Sequence, residues 1–278
     1  MQSIEQYEIL GTCMGKQEIM ADILPRGRGV WVPIDHGVTD FPCHGLEDLE
    51  STINSLIAGG ADVIVAHKGV ISKYGHLCEG SKTKMIAHLS ASTRHGGKNH
   101  SNKVLVGDVD EAILRGAVGV SCQVNIGSKK EADMLQRMGH VTSEGFLNEV
   151  PVLGMIYVRG ENVNIMKDDV TKGYAHAARI GFELGCDALK TVWTGDKDSF
   201  AKVCQSAPIP LLVAGGPSTG DSRQILTMVK ESLEAGGAGV CMGRQIFAHP
   251  DVSAITQALV MIVHSNCSVE EAMEKCSL

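Results

Sequence analysis

Short apolar runs recur along the chain at regular intervals, and amphipathic segments lie between most of them. Apolar runs of this length are typical of strands in a parallel sheet that is covered on both faces. The runs predict eight strands, at Val30–Asp35, Val63–Ala66, Met85–Leu89, Gly119–Val124, Val152–Tyr157, Ala188–Thr191, Leu211–Ala214 and Gly239–Met242. The amphipathic segments predict helices at Leu46–Ala58, Asp110–Arg115, Lys129–Met138, Val170–Leu184, Ser199–Gln205 and Ser222–Ala235.

The spacing of the strand ends favours one of two parallel-sheet folds. Successive ends are 23 to 35 residues apart, and eight β/α units of that size predict a (β/α)₈ barrel. An open doubly wound sheet would carry G-x-G-x-x-G after its first strand, whereas Asp35, His36 and Gly37 stand there.

The rest of the chain completes one predicted barrel domain over residues 1–278. We expect a helical lead-in over about residues 1–28 and closing helices at Val252–His264 and Val269–Leu278. The polar segment Ser90–Lys103 is predicted to be the loop after the third strand.

Composition narrows the possible partners. The 25 Lys and Arg residues against 32 Asp and Glu residues give a net charge of −7, which disfavours nucleic acid and anionic membranes as partners. No apolar run approaches the ~20 residues of a membrane helix, and Met1–Leu10 lacks the apolar region of a secretory signal. The nine cysteines include no C-x-x-C pair. These features predict a cytoplasmic protein with reduced thiols that acts on small molecules.

A lysine in the sixth predicted strand is the first candidate for chemistry. Active sites of barrels lie at the carboxyl ends of the strands, and Lys190 falls inside Ala188–Thr191. Burial is expected to lower the pKa of its amine and free it to form a Schiff base with a carbonyl. Lys68, after the second strand, is the alternative imine-forming residue. A strand-end lysine that points to solvent or pairs with a carboxylate is the structural alternative.

Two further strand ends carry groups suited to proton transfer. Tyr157 ends the fifth predicted strand and could move a proton, or it could simply pack with its hydroxyl bonded to the backbone. Asp35 ends the first strand and could orient substrate hydroxyls, pair with a protonated imine or act as a base; capping of a loop or helix is the alternative. We expect His36 to be a hydrogen-bonding partner rather than a base.

The last two β/α units contain glycine turns. Gly215 and Gly216 follow the seventh predicted strand, and Gly243 with Arg244 follows the eighth. In barrels these two loops often bind phosphate through backbone N–H groups, and Arg244 adds a bidentate cation. Tight turns without a ligand are the alternative.

The histidines do not predict a metal site. Five histidines between residues 67 and 100 are separated by irregular, non-helical intervals: His67, His76, His88, His95 and His100. No His or Cys cluster has the spacing of metal ligands. We therefore expect neither a metal nor another cofactor.

Taken in order, five motifs resemble those of the DhnA-type class I aldolases, which include archaeal-type fructose-bisphosphate aldolases and 2-amino-3,7-dideoxy-D-threo-hept-6-ulosonate synthases. The resemblance runs from about Gly29 to the C-terminus. The motifs are Asp35-His-Gly37, Tyr157-x-Arg-Gly160, Leu189-Lys-Thr191 with Thr194-Gly195, Val213-Ala-Gly-Gly-Pro217 and Met242-Gly-Arg-Gln-Ile-Phe247. The resemblance implies the barrel fold and a homodecamer. It also implies a Schiff-base Lys190, a proton-transferring Tyr157, an acid at Asp35, and phosphate binding by Gly215, Gly216, Gly243 and Arg244.

Departures from the family pattern bear on the substrate. Val158 stands where the family commonly has proline, and Met155 stands where fructose-bisphosphate aldolases of this type tend to have tryptophan. Met155 resembles the aminoheptulosonate synthases, which join a phosphorylated keto donor to aspartate semialdehyde in aromatic amino acid or aminohydroxybenzoate biosynthesis. A fructose-bisphosphate aldolase is the alternative. A thiolase or a non-catalytic phosphate-ligand binder on the same barrel is the second alternative, and Tyr157 argues against the thiolase.

Overall fold

Eight parallel strands close into a barrel, as the strand spacing predicts. The computed structural model describes residues 12–99, 101–163, 169–216 and 220–278. Predictions that fall on the first eleven residues, His100, Pro217 or Ser218 lie outside the described part. The strands are β1 (Gly29–Pro33), β2 (Val63–Ala66), β3 (Lys84–His88), β4 (Ser90–Ala91), β5 (Val104–Leu105), β6 (Gly119–Ile126), β7 (Val152–Val158), β8 (Ala188–Val192), β9 (Leu211–Ala214) and β10 (Gly239–Cys241). The barrel order is β1-β10-β9-β8-β7-β6-β3-β2, closed on itself.

Helices surround the barrel. They are α1 (Thr12–Ile23), α2 (His36–Thr39), α3 (Leu49–Ala58), α4 (Lys68–Tyr74), α5 (Val109–Leu114), α6 (Glu131–Leu147), α7 (Val170–Glu183), α8 (Lys197–Gln205), α9 (Ser222–Glu234), α10 (Arg244–Phe247), α11 (Val252–Ser265) and α12 (Val269–Cys276). Short 3₁₀ turns lie at Pro25–Gly27, Gly75–Cys78 and Arg94–Asn99. No helix within the described ranges is long and apolar enough to cross a membrane.

Aspartate caps fix where many of the helices begin. Six helices follow an aspartate whose carboxylate accepts a backbone N–H of the first turn, which satisfies a donor that has no partner within the helix. The capping residues are Asp48, Asp108, Asp169, Asp196, Asp221 and Asp251.

The strands divide their side chains between two cores. Because successive strand residues face opposite sides, one set fills the barrel interior and the other packs against the helices. In β7, Leu153 and Met155 belong to the interior cluster, whereas Val152 and Ile156 belong to the cluster that packs under the helices. This alternation decides which strand residues reach the mouth of the barrel.

Two predicted elements differ from the structure. Ser90–Lys103 is not a simple loop, because β4 pairs in antiparallel fashion with β5 just after the segment; strands of two residues are too short to give a periodic signal. The helix predicted to end at Met138 continues to Leu147, since Val141, Thr142 and Gly145 still face the core.

Candidate active site

The carboxyl ends of the strands open into a cavity of about 570 Å³. It brings together all eight residues that the sequence predicts for the site, although they come from five separate parts of the chain. These are Asp35, His36, Tyr157, Lys190, Gly215, Gly216, Gly243 and Arg244.

Lys190 lies at the floor of this cavity. In β8 its neighbour Leu189 packs under the helices and Ala188 faces the interior, so the alternation turns Lys190 inward as well. Its register partners are Met155 on β7 and Leu212 on β9. Only 8% of the residue is exposed. The structure thus contradicts the alternative of a solvent-facing strand-end lysine.

The charge state of Lys190 corrects one expectation. Burial lowers the pKa of the Lys190 amine. Cys241, Tyr157 and Asp35 raise this pKa by more than burial lowers it, so the pKa lies above its usual value. The prediction of a lowered pKa is therefore wrong, because burial is only one of the contributions. Near neutrality Lys190 is an ammonium ion and must lose a proton before it can attack a carbonyl.

The two neighbours of the amine are neutral near pH 7. Burial raises the pKa of the Tyr157 hydroxyl and raises that of the Cys241 thiol to about 11. Each of these two side chains is close enough to Lys190 to form a hydrogen bond with it. Tyr157 is accordingly a phenol that can donate a proton, and its hydroxyl faces the lysine.

Asp35 supplies the carboxylate of the site. It occupies the N-cap position of α2, yet its side chain makes no capping hydrogen bond, which disfavours the capping alternative. Burial raises its pKa, but His88, His36 and Lys190 outweigh this and hold the pKa well below its usual value. An ionised carboxylate therefore faces the Lys190 ammonium.

His36 stands beside Asp35, with Nδ1 3.5 Å from Oδ1 of the carboxylate. Its ring packs edge-on against Phe247, with the ring centroids 5.1 Å apart. Burial lowers the pKa of His36 to about 4, although Asp35 opposes the shift. His36 is thus neutral near pH 7 and suited to hydrogen bonding.

Sequence reasoning missed two more histidines in the cavity. His88 Nε2 lies 3.7 Å from Asp35 Oδ2, and His88 Nδ1 lies 2.7 Å from the Ser121 hydroxyl. His67 stacks edge-on against His88 at 5.3 Å. His88 ends β3 and His67 follows β2, so their positions at strand ends were the signal that could have identified them. His76 and His95 do not line the cavity.

Lys68, the alternative imine-forming residue, lies elsewhere. It opens α4, and its Nζ forms an ion pair with Glu111 Oε2 at 2.8 Å. It does not line the cavity that holds Lys190. Of the two candidate lysines, only Lys190 can therefore meet a substrate in this cavity.

The glycine turns and Arg244 form one wall of the cavity. A Cβ on Gly243 would come within 2.6 Å of the Pro33 carbonyl oxygen, and Gly216 has a φ of +67°. Both positions therefore need glycine for steric reasons. The two turns are tied together because Gln245 Nε2 donates to the Gly215 carbonyl at 3.0 Å. The guanidinium of Arg244 is exposed, and within the described ranges no carboxylate lies within ion-pair distance of it.

The histidines do not assemble a metal centre in the described residues. Within these ranges, no group of three or more His, Cys, Asp or Glu side chains has an arrangement that could hold a metal ion. The cavity contains the buried amine of Lys190, a phenol, a carboxylate and the Arg244 guanidinium. Together they can form an imine, transfer protons and hold an anion.

The chain is similar to known aldolases and synthases over most of its length. Residues 30–249 match the model of the DeoC/LacD family of aldolases. The chain is 38% identical over 261 residues to a 2-amino-3,7-dideoxy-D-threo-hept-6-ulosonate synthase of Archaeoglobus fulgidus, covering 94% of this chain and 95% of the relative. It is 35% identical over 235 residues to the 2-amino-4,5-dihydroxy-6-oxo-7-(phosphonooxy)heptanoate synthase of Streptomyces griseus, covering 84% of each.

A solved structure is similar over nearly the same length. It is an archaeal fructose-1,6-bisphosphate aldolase whose catalytic lysine is covalently bound to the carbinolamine intermediate of the substrate. The TM-score is 0.79 at 27% identity, and the match covers 89% of this chain and 99% of the other.

Proposed function

We propose that this chain, which belongs to the DeoC/LacD family of aldolases, joins a keto donor held as an imine on Lys190 to an aldehyde that carries an amino acid group. The observation that carries the proposal is that the buried amine of Lys190 lies at the floor of the cavity, with the Tyr157 phenol and the Asp35 carboxylate beside it. The names of the two relatives describe seven-carbon 2-amino products with a keto group at carbon 6, which supports this donor and acceptor.

The first half of the proposed mechanism activates the donor. The Lys190 ammonium gives up a proton to water, and the amine attacks the donor carbonyl while the Asp35 carboxylate beside it stays ionised. Loss of water from the carbinolamine leaves a protonated imine. The imine withdraws electrons, so that a proton leaves the adjacent carbon for the Tyr157 oxygen, once the phenol has passed its own proton to water, and an enamine forms.

The second half forms the carbon–carbon bond. The enamine carbon attacks the aldehyde carbon, and the new alkoxide takes a proton from Tyr157. Water then hydrolyses the imine, which releases the product and returns Lys190. If the donor is a ketose phosphate, cleavage of its own carbon–carbon bond precedes these steps, and the net reaction is a transaldol transfer. Asp35 also serves to hold the donor hydroxyls, and His36 is available as a hydrogen-bonding partner for the bound substrate.

Donor phosphate is proposed to bind at Gly215, Gly216, Gly243 and Arg244. Arg244→Ala is expected to weaken donor affinity by about 2–3 kcal/mol, the scale of a lost charge-assisted hydrogen bond. The effect should shrink for donors without phosphate. Donor KM values measured with a phosphorylated donor and its dephosphorylated counterpart test this, and equal losses for the two donors would refute a direct phosphate contact.

Turnover is proposed to need no metal, because the protonated imine withdraws electrons as a metal ion would in a metal-dependent aldolase. Dialysis against excess EDTA should leave kcat within experimental error of the untreated enzyme. Loss of activity that returns when zinc is added would contradict this prediction.

The choice of product is tested by direct assay. Purified enzyme would be incubated with aspartate semialdehyde and either dihydroxyacetone phosphate or a ketose phosphate, and products identified by mass spectrometry. We expect a seven-carbon 2-amino keto acid, which would serve aromatic amino acid or aminohydroxybenzoate biosynthesis. Rapid cleavage of fructose 1,6-bisphosphate to triose phosphates, with no product from aspartate semialdehyde, would favour the fructose-bisphosphate aldolase instead.

We also propose that the enzyme works in the cytoplasm as a homodecamer. Side chains that are apolar yet largely exposed support association, since Leu147 is 70% and Phe146 is 56% exposed at the end of α6. Sedimentation velocity would measure the assembly, and a monomer at micromolar concentration would exclude it.

A further inference from the structure

The wall of the cavity opposite Arg244 carries cations that the phosphate site does not use. Around the closed ring of eight strands, β10, which precedes Arg244, and β6 are four positions apart, so they lie on opposite sides. β8, with Lys190, is two positions from each. An extended substrate bound covalently to Lys190 therefore has the phosphate wall at one end and the β6 wall at the other.

Lys103 is the main cation of the β6 wall. It lies just before β5, in the segment that connects the neighbouring barrel strands β3 and β6, and it lines the cavity. Only 9% of the residue is exposed, and within the described ranges no carboxylate lies within ion-pair distance of its Nζ. A buried, unpaired ammonium is costly, and its burial lowers the pKa of Lys103 although Asp35 opposes the shift. An anionic ligand would offset that cost.

The backbone of Lys103 is held in place. Its carbonyl accepts a hydrogen bond from Arg137 Nη1 at 2.6 Å, and its N–H points to Met134 Sδ at 3.4 Å. Both partners lie on α6. The side chain is therefore presented to the cavity from a fixed backbone, as a binding residue needs to be.

Arg159 adds a second cation on the other side of β6. It follows β7, and its N–H donates to the Ile126 carbonyl at 2.8 Å. Its guanidinium lies over the Tyr157 ring, with Cζ 4.9 Å from the ring centroid. A third cation, Arg94, lines the cavity as well, but it is paired with Asp40 at 2.6 Å. Lys103 and Arg159 are thus the cations of this wall that lack a carboxylate partner within the described ranges.

Gln123 gives the same wall a hydrogen-bond acceptor. Its register partner is Met155, whose partner is Lys190, so Gln123 stands level with the lysine two strands away, about 10 Å from it between Cα atoms. Its Nε2 donates to Asn125 Oδ1 at 2.9 Å, and Asn125 Nδ2 donates onward to the Ser101 carbonyl. This chain of donors leaves Gln123 Oε1 free to accept. No donor among the described residues reaches it.

Two cations beside a neutral oxygen acceptor match an α-amino carboxylate. A phosphate would satisfy the cations but offers no N–H for Gln123 Oε1, whereas the ammonium of an amino acid does. We propose that Lys103 and Arg159 bind the carboxylate of the acceptor aldehyde and that Gln123 accepts a hydrogen bond from its α-ammonium. This proposal rests on the proposed function and assigns residues that select the acceptor.

The test varies the acceptor while the donor is kept as dihydroxyacetone phosphate. Acceptor KM would be measured for aspartate semialdehyde, for succinic semialdehyde, which lacks the amino group, and for butyraldehyde, which lacks both groups. Lys103→Met should raise KM about 10- to 100-fold for the two carboxylated aldehydes, the range for one charge-assisted hydrogen bond, and leave butyraldehyde unchanged. Lys103→Arg should restore part of the loss. Gln123→Leu should raise KM for aspartate semialdehyde alone.

One control variant and three contrary results complete the test. Lys68→Met removes a lysine whose partner is Glu111, outside the cavity, and should change none of these values. A Lys103→Met variant that weakens donor binding, or that slows reaction with butyraldehyde equally, would overturn the acceptor assignment. A preference of the unaltered enzyme for glyceraldehyde 3-phosphate that disappears in Lys103→Met would show that the wall binds phosphate instead. If the proposed function itself fails, the unaltered enzyme forms no borohydride-trappable imine and no product with any aldehyde.

Discussion

Replacing Lys190 with methionine is expected to abolish carbon–carbon bond formation, with kcat lowered by roughly 10⁴–10⁶-fold, the scale seen when a covalent nucleophile is removed. Methionine has nearly the length of lysine, and Lys190 is flanked by Met155 and Leu212, so the barrel interior should accept it. Steady-state kinetics together with a thermal unfolding curve would separate lost chemistry from lost folding.

Two matched variants control for the loss of a lysine. Lys68→Met removes an ion-paired residue outside the cavity and should keep full activity. Lys103→Met removes the other buried lysine and should keep imine formation. Turnover by Lys190→Met within tenfold of the unaltered enzyme would show that another group carries the reaction.

Tyr157→Phe is expected to lower turnover by about 10²- to 10⁴-fold, the contribution typical of a general acid or base. The substitution removes only the hydroxyl, so the packing of the ring beneath Arg159 should survive. Because Lys190 remains, the imine should still be trapped by borohydride. The lost step should be removal of the donor proton or carbon–carbon cleavage, which appears as lost exchange of solvent deuterium into the donor.

Two results would change the role given to Tyr157. Near-normal turnover of the phenylalanine variant would assign the proton to Asp35 or to water. A variant that no longer forms the imine would place the tyrosine in loss of water from the carbinolamine, one step earlier than proposed.

The barrel could be predicted because its signal is regular. All eight predicted barrel strands are confirmed, with ends shifted by at most two residues; Val63–Ala66 and Leu211–Ala214 have the predicted bounds. The site could be predicted because the fold requires chemistry at the carboxyl ends of strands. That rule made Lys190, Tyr157 and Asp35 candidates, and the structure brings the three into one cavity.

The opposite wall could not be found in the same way. In β6, apolar Val120, Cys122 and Val124 alternate with polar Ser121, Gln123 and Asn125, and this alternation turns the polar residues into the barrel. A short apolar run does not by itself reveal such an inward polar face. Lys103 gave no signal at all, because its position depends on backbone contacts with α6, which the sequence does not reveal.

The direction of the Lys190 pKa shift could not be predicted from the sequence either. Burial could be inferred from its strand, but the opposing contributions come from Cys241 on β10 and Asp35 after β1, which are far away in the chain. The direction of the shift depends on which side chains the closed barrel brings together.

Borohydride trapping tests the central claim most directly. The enzyme would be incubated with dihydroxyacetone phosphate, reduced with sodium borohydride, digested and mapped by mass spectrometry. The account predicts irreversible inactivation and one adduct, the mass of the reduced donor, on the peptide that contains Lys190. An adduct on Lys68 or Lys103, or full turnover with a competent donor and no adduct on any lysine, would contradict it.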